Sequence, residues 1–234
     1  MPQGNKLLSS FLADHLTKDK NNITHTRIGN KDYNVGGGAY CIPDDDLTEF
    51  YKLYYNAVFN LKQEEYLTEK QYNIGPICID LDFRYSADID ERQHNETHIT
   101  NILNLYISKL NEILEFDQNN IDIFVFEKDN VNTSDVNKTK DGIHILININ
   151  INKNAQCYLR DLVLENINDI LNDLPLINTY EDVIDNGIVK GSNNWQLYGS
   201  RKPGYDDYKL TYIFSLQILE NKNTYGSIKS NETF

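Results

Sequence analysis

Hydrophobic residues recur along this chain with two different periods, and the change of period marks its elements. Leu7 to Leu16 is a short amphipathic stretch. Leu47, Phe50, Tyr51, Tyr54, Val58 and Leu61 recur at helical spacing, predicting an amphipathic helix over 47–62 whose aromatic stripe faces a core. Ile99, Ile102, Leu103, Tyr106, Leu110, Ile113 and Leu114 predict a second helix. Leu159, Leu162, Val163, Ile167, Ile170, Leu171 and Leu174 predict a third, ending near Pro175. Elsewhere the period is two. Ile77, Ile79, Leu81 and Phe83 alternate with Cys78, Asp80, Asp82 and Arg84, and the isoleucines from Ile143 to Ile151 alternate with His144, Leu146, Asn148 and Asn150. Ile121 to Phe126 is strand-like, and short strands are expected around 184–189, 195–198 and 208–216. Gly36-Gly37-Gly38 reads as a flexible turn, Asp44-Asp45-Asp46 as N-cap candidates, 129–140 as a polar, mobile loop and 221–234 as the start of a linker. Strands alternating with helices predict an α+β or α/β domain with helices packed against a sheet.

At 234 residues the chain can bury a full core, as one large domain or as two small modules sharing a sheet. No apolar run is long enough to span a bilayer, and the N-terminus lacks the apolar core of a signal peptide. Cys41, Cys78 and Cys157 are odd in number and far apart, which argues against a disulfide framework or zinc ribbon and for a reducing, cytoplasmic setting. The net charge of −13 opposes tight, sequence-independent binding to nucleic acid, which depends on Lys and Arg displacing counterions. Bound cations, which a formal charge omits, would soften that objection.

The candidate chemistry starts with Asp80 and Asp82. Two residues apart on a strand, they share one face, with Cβ atoms roughly 6–7 Å apart. Such a pair repels itself unless a positive charge intervenes, and a hard divalent cation such as Mg²⁺ takes carboxylate oxygens while keeping positions open for phosphates. His144 lies on the face of its strand opposite the isoleucines. With Lys140-Asp141-Gly142 leading into it, this imidazole suits a triphosphate better than a metal. His94 and His98, in a polar loop or helix start, are expected to be solvent-exposed. Asp185 follows Val183-Ile184 and could end a strand as a third carboxylate, with Glu181 and Asp182 as competitors. From Trp195 to Gly204 the chain ends a strand in a basic, glycine-flanked turn containing Ser200, Arg201 and Lys202, paired cations suited to phosphate.

In that order, an Asp-x-Asp strand, a Gly-x-His strand, and an Asp followed by Gly-Ser-Arg-Lys, the chain resembles the archaeo-eukaryotic primase superfamily. More narrowly it resembles the N-terminal primase domain of the primase–helicases of poxviruses and giant viruses. Thr24-His25-Thr26-Arg27, Tyr40-Cys41-Ile42-Pro43, Leu67-Thr68-Glu69-Lys70 and Pro76 to Tyr85 extend the resemblance over roughly 24–216. It implies a primase catalytic domain over 1–220, built of two interlocked modules: an N-terminal αβ module and an RNA-recognition-motif-like module with an antiparallel sheet and packed helices. It implies two Mg²⁺ or Mn²⁺ ions on Asp80, Asp82 and Asp185. His144, Lys140, Arg84, Ser200, Arg201 and Lys202 would contact the nucleotide. The implied activity is primer synthesis from nucleoside triphosphates on a single-stranded DNA template, in the host cytoplasm at a viral replication site, with no membrane. A superfamily 3 helicase would follow the 221–234 linker. Gly142 departs from the pattern, since many members carry a small hydroxyl residue there. Three other readings stand beside this one. A degenerate primase fold could load a helicase or bind single strands without catalysis. Nucleotide-sugar glycosyltransferases share Asp-x-Asp but lack the later elements, and a metal-dependent nuclease would need no nucleoside triphosphate.

Overall fold

The computed structural model describes residues 3–115, 121–216 and 228–233, with side chains placed over 8–115 and 121–216. In chain order the elements are α1 (Gln3–Asp14), β1 (His25–Arg27), β2 (Gly38–Tyr40), α2 (Leu47–Tyr55), β3 (Leu67–Glu69), β4 (Ile74–Ser86), α3 (Glu96–Ile113) and β5 (Ile121–Glu127). Next come β6 (Asn132–Asp135), β7 (Lys138–Asn152), α4 (Lys153–Leu164), α5 (Asn168–Leu171), α6 (Tyr180–Val183), α7 (Asn186–Lys190), β8 (Trp195–Gln196), β9 (Lys209–Leu216) and β10 (Ile228–Thr233). They form two compact units, Met1–Gln71 with Asn193–Tyr208 and Tyr72–Ser192 with Lys209–Phe234. The fold class is α+β, with antiparallel strand ladders in both units.

In the smaller unit the sheet order is β2-β1-β3-β8. Phe50, Tyr54 and Val58 turn inward to join Leu8, Leu12 and Ile42, as the helical spacing requires. The predicted helix over 47–62 does not run through, however: after Tyr55 it widens into a π-helical turn, Asn56–Asn60. The extra residue in that turn rotates the end of the segment, so Leu61 is left exposed. Asp46 holds the N-cap position of α2, yet its carboxylate reaches His15 Nε2 at 3.1 Å instead of capping. Arg27 and Glu65 form a buried, two-pronged ion pair, with Nε donating at 2.9 Å and Nη2 at 2.6 Å. Burial raises the Glu65 carboxyl, and the Arg27 guanidinium works against that rise.

The larger unit holds the sheet β10-β9-β5-β7-β4, with β6 along β7. Its core lies on one face. Ile77, Ile79, Leu81 and Phe83 of β4 and Ile143, Ile145 and Ile147 of β7 meet α3 and α4 there, fully buried. Four expectations change. The 129–140 segment is no loop, because β6 pairs with β7 and a tight turn at Asp135–Lys138 joins them. The third helix breaks after Leu164, leaving α4 and α5. Residues 184–189 form no strand: side-chain caps from Thr179 and Asp185 start α6 and α7, and Gly191 ends α7 in a left-handed conformation. A short apolar run reads equally as strand or helix, and only a Leu81–Ile184 bridge remains of the strand. Finally, Ile228–Thr233, expected within a linker, pairs with β9; 217–227 and Phe234 lie outside the described residues. No described helix is long and apolar enough to cross a membrane. All three cysteines are free.

Trp195, the single tryptophan, is buried in the smaller unit, so its fluorescence reports that unit's unfolding. Glu65→Ala is expected to cost about 3–5 kcal/mol in a urea melt, because it strands a buried guanidinium. The double replacement Arg27→Met/Glu65→Leu should cost far less. Burial also pushes the His25 imidazole down to about 4, although Glu69 Oε2 lies 4.0 Å from Nε2. The unfolded chain therefore binds the extra proton first, so this histidine's contribution falls as pH drops from about 6.5 to about 4, by roughly 3 kcal/mol at most. His25→Gln should flatten the stability–pH curve over that window. An unchanged slope would refute the assignment.

Candidate active site

Residue period and strand register together build the site. With the odd-numbered residues of β4 buried under helices, Asp80, Asp82 and Arg84 fall on the opposite face of the sheet. In the β4–β7 register His144 lies directly across from Asp80, Gly142 from Asp82 and Lys140 from Arg84. His144 Nε2 stands 3.4 Å from Asp80 Oδ1, and both side chains are largely withdrawn from solvent. Gly142, the residue across from Asp82, is itself buried. Lys140 also reaches Asp135, at 3.6 Å.

Segment 177–185 covers the outer edge of β4, which a sheet would otherwise leave open. The Ile177 N–H donates to the Arg84 carbonyl at 2.9 Å. The Asn178 amide accepts from the Arg84 N–H at 3.0 Å and donates to the Asp82 carbonyl at 2.9 Å, standing in for a neighbouring strand. The Asp185 N–H donates to the Asp80 carbonyl at 2.9 Å. The backbone of Asp185 is thereby tied to the edge of β4, while Glu181 and Asp182 sit exposed on α6. Asp185 also caps α7, accepting the Gly187 N–H at 2.6 Å. Beneath, buried Arg160 of α4 donates to the Ile184 carbonyl at 3.0 and 2.8 Å and to the Glu181 carbonyl at 2.8 Å.

A second clamp lies on the core side. Asp141 shares its face with Ile143, so its carboxylate is buried and must be compensated. Arg92 Nε donates to it at 3.0 Å and Arg92 Nη1 lies 3.2 Å from Glu127, while His94 Nε2 meets Glu127 at 2.7 Å. Burial alone would raise the Glu127 carboxyl, but the hydrogen bonds from His94 and Thr211 and the Arg92 charge hold it below its ordinary value. Arg92 is raised by the same carboxylates against the pull of burial. Asp141 Oδ1 also accepts the Gly142 N–H at 2.9 Å, fixing the backbone opposite Asp82. His94 and His98 are therefore buried, not solvent-exposed as their polar setting suggested: His98 closes the capping box of α3 and meets Asp173 at 3.1 Å.

Ser200, Arg201 and Lys202 belong to the smaller unit. The Ser200 hydroxyl is fully buried there, 2.9 Å from the Tyr54 hydroxyl and accepting the Leu67 N–H at 3.0 Å. Arg201 pairs with Asp207 at 2.9 Å and Glu64 at 3.6 Å, while Lys202 is exposed.

Among the described residues no group of three or more His, Cys, Asp or Glu side chains is arranged to hold a metal ion. The donors on β4 fit a different arrangement, in which a hard cation takes one or two carboxylates and completes its shell with water and substrate phosphate. The clamps at Arg160, Asn178 and Arg92–His94 could not be anticipated from residue patterns, with one partial exception. Only the third left a signal, since the period of β7 puts Asp141 on a buried face.

Residues 29–214 match the family model described as the C962R protein N-terminal AEP domain. The chain is also 33% identical over 183 residues to a protein of Acanthamoeba polyphaga mimivirus named "Putative helicase L207/L206". That alignment covers 77% of this chain and 18% of the mimivirus protein.

Replacing Arg160 by Leu leaves the carbonyls of Glu181 and Ile184 short of donors. A loss of about 1–3 kcal/mol is expected, with faster amide exchange at Asp185 than elsewhere in the sheet. Uniform exchange across the unit would contradict the clamp.

Proposed function

The chain belongs to the archaeo-eukaryotic primase superfamily as an N-terminal domain of the C962R type, and on that premise we propose that it is a cation-dependent nucleotidyltransferase that makes primers from nucleoside triphosphates on single-stranded DNA. The observation that carries this reading is the register of β4 on β7, which sets Asp80 against His144 and Asp82 against Gly142 on one face of the sheet. An acid pair with an imidazole beside it suits a triphosphate accompanied by its cations.

Asp80 and Asp82 would hold Mg²⁺ or Mn²⁺, with Asp185 as the third ligand of a two-ion site. When bound, such ions lower the pKa of a primer 3′-hydroxyl and neutralise charge on the α-phosphate and the departing pyrophosphate. The protein's own part is positional. His144 presents a ring N–H to a phosphate oxygen, and Lys140 and Arg84, the next pair along the same two strands, add positive charge beyond it. The clamps behind Asp141 and Asp185 hold the backbone beside the acids, so little reorganisation is needed when the nucleotide arrives. The mimivirus relative carries helicase in its name and is several times longer than the aligned segment. We infer that this domain works in one chain with a helicase region, which would open the template it copies.

Incorporation of labelled nucleotides on a single-stranded template, with Mg²⁺ or Mn²⁺, tests the reading. Asp80→Ala/Asp82→Ala should reduce synthesis by about a hundredfold or more while leaving the far-ultraviolet circular dichroism of the whole chain native. His144→Ala should lower kcat/KM for the nucleotide by about tenfold or more. Wild-type synthesis that the double variant retains would refute this site. A folded wild type with no synthesis, joined to its helicase region, would favour the non-catalytic loading module.

A further inference from the structure

The smaller unit carries an aromatic surface that the transfer chemistry does not use. Tyr55, Phe59 and Tyr198 form a ladder of rings, with centroids 5.3 Å apart between Tyr55 and Phe59 and 5.5 Å between Phe59 and Tyr198. Their planes are inclined by only 31° and 27°. Tyr55 is 57% exposed and Tyr198 is 48% exposed, so both ends of the ladder face water. Single exposed aromatics are ordinary on a protein surface; two exposed tyrosines joined through a half-buried phenylalanine form a larger apolar patch.

The local backbone is shaped to make this ladder. Phe59 lies within the π-helical turn Asn56–Asn60, half-buried and packed against the core of Phe50, Tyr54 and Val58, and such turns gather at functional sites. Gly199, at φ +83°, brings the turn after Tyr198 so close that an added Cβ would fall 2.7 Å from Val58 and 2.9 Å from Phe59. The Tyr54 hydroxyl holds the same turn from below, donating to the Tyr198 carbonyl at 2.8 Å.

Lysines lie near the rings along the chain. Lys52 stands three residues before Tyr55 on α2, Lys62 follows the π-helical turn at φ +54°, and Lys202 comes four residues after Tyr198. Lys52, Lys62 and Lys202 are exposed, while the charge of Arg201 is taken up by Glu64 and Asp207. Acidity is also unevenly shared. The smaller unit's sequence has 10 Lys and Arg against 12 Asp and Glu, and the larger unit's has 12 against 23. The acidic excess of the chain thus belongs mainly to the larger unit.

We propose that Tyr55, Phe59 and Tyr198 are a stacking platform for the bases of single-stranded nucleic acid, with Lys52, Lys62 and Lys202 meeting its phosphates. Stacked rings beside a cationic border are what sequence-independent single-strand binding needs, because every base has a π-face and every nucleotide a phosphate. The inference builds on the reading of the domain as one that copies a single strand, and it locates the grip on that strand within the smaller unit.

Fluorescence anisotropy of a fluorescein-labelled oligothymidylate, titrated with the whole chain in the absence of nucleotide and divalent cation, tests it. Transfer activity does not enter this readout, so the platform and the transfer site can fail independently. Tyr55→Ala and Tyr198→Ala should each weaken binding by about tenfold or more. Tyr198→Phe, which keeps the ring, should bind within about twofold of wild type. Lys202→Ala should lower the slope of log affinity against log salt by about one. Both tyrosines are surface residues, and native Trp195 fluorescence confirms that each variant is folded. The proposal is overturned if Tyr55→Ala/Tyr198→Ala binds like wild type, or if Tyr198→Phe loses as much as Tyr198→Ala. It is also overturned if wild type shows no binding, including the case in which it sediments as a dimer that Tyr198→Ala dissociates, which would seat a second copy on the ladder.

Discussion

A strand can offer only every second side chain to either side of a sheet, and the candidate chemistry here depends on that constraint being enforced along β4. Ile77, Ile79, Leu81, Phe83 and Tyr85 are each at most 2% exposed, locked under α3 and α4. Shifting the strand by one residue would drive Asp80 and Asp82 into that core and expose five large apolar groups. At about 1.5–3 kcal/mol for each buried side chain, the core fixes the face the carboxylates occupy far more firmly than their mutual repulsion can disturb it. The long ladder with β7 carries the same certainty across to His144 and Gly142.

Around this strand the structure uses its buried polar groups to hold backbone. Asn178 imitates a strand for Arg84 and Asp82, Arg160 gathers the carbonyls of Glu181 and Ile184, and Asp141 holds the Gly142 N–H while Arg92 and His94 balance its charge and that of Glu127. None of these side chains needs to touch a substrate. Each fixes the main chain at or beside an acid on the sheet face, which lets clustered carboxylates keep their geometry before any cation arrives. Burying such groups is costly unless each finds a partner, and removing one partner strands the rest.

Much of this was legible in the residues. Alternation in β4 and β7 announced two strands, the face of each and therefore the company of Asp80, Asp82 and His144. The order of the motifs announced the family. Register was not legible, because nothing in either strand alone says that residue 80 meets residue 144; the β-bulge after Pro76 alone displaces the pairing. His94 and His98 misled because a polar neighbourhood in sequence became a buried one once Glu127, Asp141 and Asp173 converged from distant segments. The segment 184–189 was too short to separate strand from helix, and its capping residues decided the matter. A π-helical turn leaves no periodic signature, so the break after Tyr55 was hidden within what looked like one continuous helix, and the contact of Phe59 with distant Tyr198 left no local signal.

The central claim is that the acids of β4 form a cation site that a nucleoside triphosphate completes. Electron paramagnetic resonance of Mn²⁺, titrated into the chain with and without a nucleoside triphosphate, addresses it without relying on turnover. The account predicts weak Mn²⁺ binding by the chain alone, a marked tightening when nucleotide is present, and loss of both in Asp80→Asn/Asp82→Asn. Mn²⁺ and nucleotide binding that is indifferent to those two replacements would contradict it.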